Sequence, residues 1–204
     1  VLTKEDLAQR LLHGCANLRT AEQELTDIDS HFGDADHGLT MVKIAGAIEQ
    51  GVNESADGAT LKDMLDDVAM KVMVLNGGSA VPLWNTWLDG LQEAAPDESQ
   101  ADETQVKAMF SHALEELSDM SGAQVGDKTM MDALIPATEA LVKAEGSADD
   151  LLRAGAQAAQ EGAEASKQFV SKFGRAKSYG EKTLGTPDAG AVSMACFWRG
   201  LALE

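Results

Sequence analysis

The sequence predicts an all-α fold: an antiparallel bundle or barrel of eight helices with its functional site at one end. Three observations lead there. Apolar residues recur at spacings of three and four along most of the chain, the pattern of a helix with one buried face. No run alternates apolar and polar residues as a half-buried strand does. Short breaks rich in Gly, Asp, Asn and Ser separate the periodic segments, as expected for hairpin connections between neighbouring helices.

Thr3-Lys4-Glu5-Asp6 reads as a capped helix start, continued by Leu7, Leu11, Leu12, Cys15 and Leu18. A second helix is expected from about Leu39 to Gln50, with Met41, Ile44, Ala45 and Ile48 on one face. The third carries Leu61, Leu65, Val68, Val72 and Leu75, and the fourth follows Pro82 with Leu83, Trp87, Leu88 and Leu91. The fifth spans about Asp102 to Leu117 and the sixth about Thr129 to Lys143. A seventh begins at Ala148. Its Gly155, Ala158, Ala159, Gly162 and Ala163 predict close packing, because interaxial distance depends on the side chains at the contact. The eighth runs from about Ala189 to Ala202.

The 204 residues have no Pro/Ser-rich linker, which favours one domain over residues 1–204. A hydrophobic content of 44% supports a globular core. Acidic residues outnumber basic ones 34 to 16, for a formal charge of -18. That balance argues against nucleic-acid and anionic-membrane surfaces, which require basic patches. Bound phosphate would need local help from a metal, backbone N–H groups or a specific arginine. Cys15 and Cys196 stand far apart with no CxxC motif, so a reduced cytoplasmic setting is expected. Neither a signal peptide nor a membrane-length apolar run is visible. The first residue is Val, so the chain is expected to be trimmed or to be the end of a fusion.

Parity turns the helix count into a site. In an up-down assembly the first, third, fifth and seventh connections share one end. These read Gly33-Asp34-Ala35-Asp36-His37-Gly38, Asn76-Gly77-Gly78-Ser79, Gly126-Asp127-Lys128-Thr129, and Gly174 to Gly190. The opposite connections are ordinary Ala/Asp/Glu/Ser stretches. Each unusual loop feeds a helix N-terminus, where free N–H groups and the helix dipole favour anions. There is no Walker A sequence and no GxGxxG following a strand.

Asp29, Asp34 and Asp36 place three carboxylates within eight residues. Two unit charges about 5 Å apart repel by roughly 3 kcal/mol at an effective dielectric near 20, a cost that a bound cation reverses. An all-oxygen set suits Mg2+ alongside phosphate better than it suits zinc, although an acidic solvated turn has the same composition. An EF-hand does not fit, since Phe32 and Gly38 fall where that loop needs Gly and Glu. Arg175, in the long seventh connection, is the basic residue expected at the phosphates during phosphoryl transfer, and a surface role ending the seventh helix is its alternative. His37 suits a phosphate contact, metal ligation or a structural turn. Met130 stands where it could cover an adenine. Lys128 and Asp127 read as caps of the sixth helix and Asp188 as the N-cap of the eighth. Trp84, Trp87 and Trp198 read as packing residues.

In motif order, Asp29-x4-Asp34-Ala35-Asp36-His37-Gly38, Gly77-Gly78, Gly126-Asp127-Lys128-Thr129-Met130, Gly174-Arg175-Ala176 and Asp188-Ala189-Gly190 resemble the nucleotide-binding L subunit, or C-terminal L domain, of dihydroxyacetone kinases. The resemblance covers nearly the whole chain and implies an eight-helix barrel. It implies that Asp29, Asp34 and Asp36 bind two Mg2+ ions bridging the phosphates of ADP or ATP. It further implies that His37, Gly38, Leu39, Thr40, Ser79, Ala80, Gly122, Met130, Arg175, Asp188, Ala189 and Gly190 surround the nucleotide. In that family a separate K subunit or domain holds the short ketose as a covalent hemiaminal on its own histidine. Some members exchange ATP and ADP with solvent, whereas others keep ADP and have it rephosphorylated by a phosphotransferase-system protein.

The chain departs from the family pattern at Gly77-Gly78-Ser79-Ala80-Val81-Pro82-Leu83, where Ala80 and Val81 replace a usual serine and glycine. Asn85 also stands where glycine is common, and Ala189 replaces a proline. These departures point to a divergent branch acting on another short ketose, such as a tetrulose. Two other functions are compatible with the sequence: a nucleotide-responsive regulatory partner without turnover, and the nucleotide domain of a kinase acting on a fatty-acyl carrier.

Overall fold

Nine α-helices carry the chain: α1 (Lys4–Thr20), α2 (Glu22–Ser30), α3 (His37–Glu54), α4 (Leu61–Met73), α5 (Ala80–Ala94), α6 (Glu103–Ser121), α7 (Met131–Lys143), α8 (Ala148–Ala165) and α9 (Ala189–Leu201). The structure, a computed structural model, describes residues 1–204. The expected eight helices become nine because α2 extends the first one. Ala21 N–H donates to Asn17 O at 3.0 Å and Leu25 N–H to Ala21 O at 2.9 Å, so the helical ladder crosses the break. α1 and α2 are therefore one bent rod, and eight rods remain. The bend leaves loop parity intact.

The rods form a closed ring in the order α1, α3, α4, α5, α6, α7, α8, α9 and back to α1. Amphipathic faces dictate this closure: α4 turns Leu61, Met64, Leu65, Val68, Ala69 and Val72 inward, and each other helix does likewise. The ring is filled by aromatic side chains rather than left hollow. Trp84, Trp87, Trp198, Phe110 and Phe197 are almost wholly buried and meet edge-on or tilted, at centroid distances of 5.1–6.4 Å. The tryptophans are packing residues, as the sequence reading expects.

The small residues of α8 bring it close to α7 and α9. A Cβ on Gly162 would overlap the Asp132 carbonyl, and one on Gly155 would overlap the Trp198 ring. Pro136 inside α7 has no N–H to give that Asp132 carbonyl, which leaves room for α8 against the exposed backbone. At the ring seam, Arg10 of α1 donates to Leu201 O at 2.7 Å and pairs with Asp149 at 3.0 Å.

Two features lie outside the all-helical expectation. Leu2–Thr3 pairs antiparallel with Gln100–Ala101, a ladder too short to leave a periodic signature. Residues Arg175–Thr183 form 3-10 turns, where the sequence suggested only a connection. α3 also begins at His37, two residues before its expected start.

Candidate functional site at one end of the barrel

The four odd-numbered connections converge. They line a single cavity of about 620 Å3, together with the starts of α3, α5, α7 and α9. Asp29, Asp34, Asp36, His37, Thr40, Ser79, Ala80, Met130, Arg175, Asp188, Ala189 and Gly190 all border it. Three expected site residues do not. Gly38 faces α2, where a Cβ would overlap the Glu22 carbonyl and the Thr26 hydroxyl. Leu39 points outward, 51% exposed. Gly122 ends α6 in the left-handed conformation (φ +69°), and Met120 and Ser121 reach the cavity in its place.

The two ends of the barrel treat their helix N-termini differently. At the far end, Thr3, Thr60, Asp102 and Ser147 each cap a helix with a side-chain oxygen, three of them in capping boxes. At the cavity end the N-cap residues of α3, α5 and α7, namely Asp36, Ser79 and Met130, make no side-chain cap bond. Asp188 alone does so, taking the Ala191 N–H at 2.9 Å. The start of α5 follows Gly77-Gly78 and leaves the Ser79 and Ala80 amides unengaged beside the cavity, whereas Val81 N–H donates to Gly78 O at 3.2 Å and Pro82 has no N–H. A ready anion site results.

Asp29 serves α3 from a distance. Its Oδ2 accepts the N–H groups of Asp36 at 3.1 Å and His37 at 3.2 Å, which frees the Asp36 carboxylate from capping. Asp34 pairs with Arg175 through its Oδ1. The three carboxylates thus share a cavity but are not gathered within 4.8 Å of one another. Asp29 is turned toward a helix start and Asp34 toward an arginine. The set retains the chemistry Mg2+ needs: oxygen donors only, with the Asp36 carboxylate and Asp29 Oδ1 unengaged by hydrogen bonds.

His37 Nε2 lies 3.0 Å from Ser193 Oγ, whose own hydroxyl donates to Gly190 O at 3.0 Å. Burial pushes the His37 pKa down, so the ring is neutral at pH 7 and ties the start of α3 to the start of α9. Burial pushes Asp188 up to about 7, with the buried carboxylate of Asp132 adding to the rise and Lys128 opposing it. Met130, 6% exposed, and Trp84, 1% exposed, give the cavity an apolar inner wall.

Sequence reasoning missed Ser193, which anchors His37, and Asp132. The latter, rather than Asp127 or Lys128, organises the start of α7: Gly126 N–H donates to its Oδ1 at 2.6 Å and Thr129 N–H to its Oδ2 at 2.7 Å. An acidic residue at the third position after Thr129 was the available signal. Phe32 was missed as well. It borders the cavity and packs on Tyr179 with ring centroids 5.1 Å apart.

Fold and cavity together define a helical-barrel domain with a loop-lined cavity at one mouth. A family model described as the DAK2 domain matches residues 31–203, and the chain belongs to that family. It is 36% identical over 189 residues to a D-erythrulose kinase of Mycolicibacterium smegmatis, covering 91% of this chain and 33% of that protein. It is 28% identical to the ADP-binding subunit DhaL of the PEP-dependent dihydroxyacetone kinase of Escherichia coli, covering 93% of this chain and 91% of that subunit. The solved dihydroxyacetone kinase of C. freundii superposes with a TM-score of 0.73 at 26% identity, over 97% of this chain and 34% of that one. The chain therefore spans about a third of the erythrulose kinase and of the solved kinase, and nearly all of the DhaL subunit. No helix is long and apolar enough to cross a membrane.

Proposed function

We propose that this chain is the nucleotide-binding part of a short-chain ketose kinase. It binds Mg-ATP, or ADP that is rephosphorylated in place, and presents the γ-phosphoryl group to a ketose held by a K-type subunit or domain. The observation that carries this reading is the contrast in capping: at three helix starts beside the cavity the N-cap side chain makes no cap bond, whereas every helix start at the far end is capped by its own N-cap side chain. The Asp36 carboxylate and the Ser79 and Ala80 amides are thereby left for a metal–polyphosphate ligand.

Asp29, Asp34 and Asp36 would hold Mg2+, two ions by the family pattern. The metal would supply charge neutralisation at the β- and γ-phosphate oxygens. The Ser79 and Ala80 amides receive phosphate oxygens, and Arg175 moves from Asp34 to the γ-phosphoryl group. Met130 and the apolar wall cover the adenine. The phosphoryl group leaves the β-phosphate oxygen for a ketose hydroxyl, whose proton departs on the partner's side. Alignment and electrostatics are the contributions of this chain.

A docked partner is supported by the rim. Leu39, Val74, Val125, Phe173, Tyr179 and Leu184 are all 42–71% exposed and lie on the cavity-end connections or helix starts. The kinase's substrate is more narrowly a tetrulose, a reading favoured by relatives named as D- and L-erythrulose kinases at 34–37% identity. Asp34→Asn combined with Asp36→Asn should abolish Mg-dependent ADP binding in calorimetry while leaving the helical circular dichroism intact. Unchanged affinity would reject the site. Mixing the chain with a K-type subunit, ATP, dihydroxyacetone and erythrulose tests turnover, and no sugar phosphate from either ketose would favour a non-catalytic regulator. A phosphotransferase-system donor is tested by replacing ATP with that phosphorylated protein.

A further inference from the structure

Lys128 borders the cavity in a Gly-Asp-Lys-Thr turn, where a lysine would ordinarily be assigned to phosphate. Its side chain is otherwise engaged. The residue is 5% exposed, and its Nζ donates to Ser166 O at 2.9 Å, Phe169 O at 3.2 Å, Thr183 O at 2.7 Å and Thr186 O. An ammonium has three N–H groups, so four carbonyls saturate it and none remains for a ligand. Ser166 and Phe169 lie on the limb leaving α8, and Thr183 and Thr186 lie on the limb returning to α9. One buried cation thus joins both limbs of the strap, residues 166–188, that carries Arg175.

The turn is built to send Lys128 inward. Its backbone has φ +64°, a left-handed conformation unusual for a residue with a side chain. The Asp132 carboxylate, 1% exposed, holds the amides of Gly126 and Thr129 on either side of it. The neck of the strap closes where Gly185 N–H donates to Lys167 O at 2.7 Å, and Ser171 N–H meets Thr183 Oγ1 at 3.1 Å. The tip is held differently. It touches the acidic loop through the Arg175–Asp34 pair, whose side chains are 75% and 43% exposed, and through Tyr179 on Phe32. Exposed ion pairs contribute little. The base is firm and the tip exchangeable.

We propose that Lys128 is the positioning residue for Arg175: it clamps the main chain of both strap limbs and does not touch the nucleotide. The part played by Arg175 rests on the proposed kinase reading, whereas the clamp itself does not. Two measurements on the full chain separate them. Lys128→Met should speed tryptic cleavage after Lys172, Arg175, Lys177 and Lys182 at least about tenfold, with helical content unchanged, because hydrogen bonds from a charged donor hold the strap closed. Mg-ADP affinity should fall in Lys128→Met and in Arg175→Ala, and the double variant should bind no more weakly than Arg175→Ala alone.

Cleavage at the wild-type rate would overturn the clamp. Losses that multiply in the double variant would overturn action through Arg175 and assign Lys128 to the ligand directly. A wild-type chain that binds no Mg-ADP would defeat the kinase reading, with the cleavage result still deciding the clamp. Should Lys128→Met lose helical content, Lys128→Gln, which keeps an amide donor, takes its place, and the same two outcomes apply.

Discussion

Asp29 and Asp36 stand seven residues apart in one acidic loop, yet their removal should have opposite consequences for the free protein. Asp29 Oδ2 accepts two amides of the α3 start, whereas the Asp36 carboxylate accepts none. Loss of an N-cap interaction costs about 1–2 kcal/mol. For 204 residues the unfolding entropy is about 0.4 kcal/mol/K, so Asp29→Ala should lower the melting temperature by roughly 2–5 °C. Asp36→Ala should leave it unchanged or raise it slightly, since it removes one of several clustered like charges. With Mg-ADP present both variants should bind at least about tenfold more weakly, equivalent to about 1.4 kcal/mol each. Scanning calorimetry without ligand and titration calorimetry with Mg-ADP read the two effects separately. Equal destabilisation of the free protein by the two substitutions would refute the division of labour. Wild-type affinity in Asp36→Ala would refute its ligand role.

Arg175→Ala should leave chemical denaturation unchanged to within about 1 kcal/mol, because its ion pair is exposed, while phosphoryl transfer with a K-type partner falls at least about a hundredfold. Gly162→Val should destabilise the fold by about 3 kcal/mol or more in urea titration, because its side chain must displace the Asp132 backbone. Burial raises the Asp188 pKa from 3.8 to about 7, so the folded state holds that proton where the unfolded chain has lost it. Its contribution is complete below about pH 4 and disappears as pH rises to about 7. Asp188→Asn keeps an oxygen for the Ala191 amide and should therefore be more stable than wild type at pH 8 but not at pH 4, in paired urea titrations. His37 works in the reverse sense: its lowered pKa means stability complete above about pH 6.5 and lost on acidification, and His37→Gln should blunt that loss.

Much of the barrel was legible because its rods are amphipathic and its connections short. Loop parity then brought Asp34, Ser79, Met130 and Arg175 to one cavity without knowledge of any contact. α2 escaped because its apolar content is thin: Leu25 is its one fully buried residue, amid Glu22, Glu24, Asp27 and Asp29. The same acidic run that advertised a metal site concealed a helix. Lys128 escaped for a different reason. Its partners are main-chain carbonyls, which every residue has, and its left-handed backbone is imposed by Asp132 rather than by a glycine. Side-chain chemistry can be read along a chain, but where a carbonyl ends up depends on how the strap closes. Gly38 shows the converse, since a motif glycine serves helix contact with α2 rather than the cavity.

All three tryptophans belong to one aromatic stack, yet only Trp84 borders the cavity. The molecule therefore carries an intrinsic optical probe, with one indole on the wall where the proposed nucleotide would lie and two others deeper in the interior. Emission wavelength and quenching can follow occupancy in real time on unlabelled material, and Trp84→Phe should silence the signal.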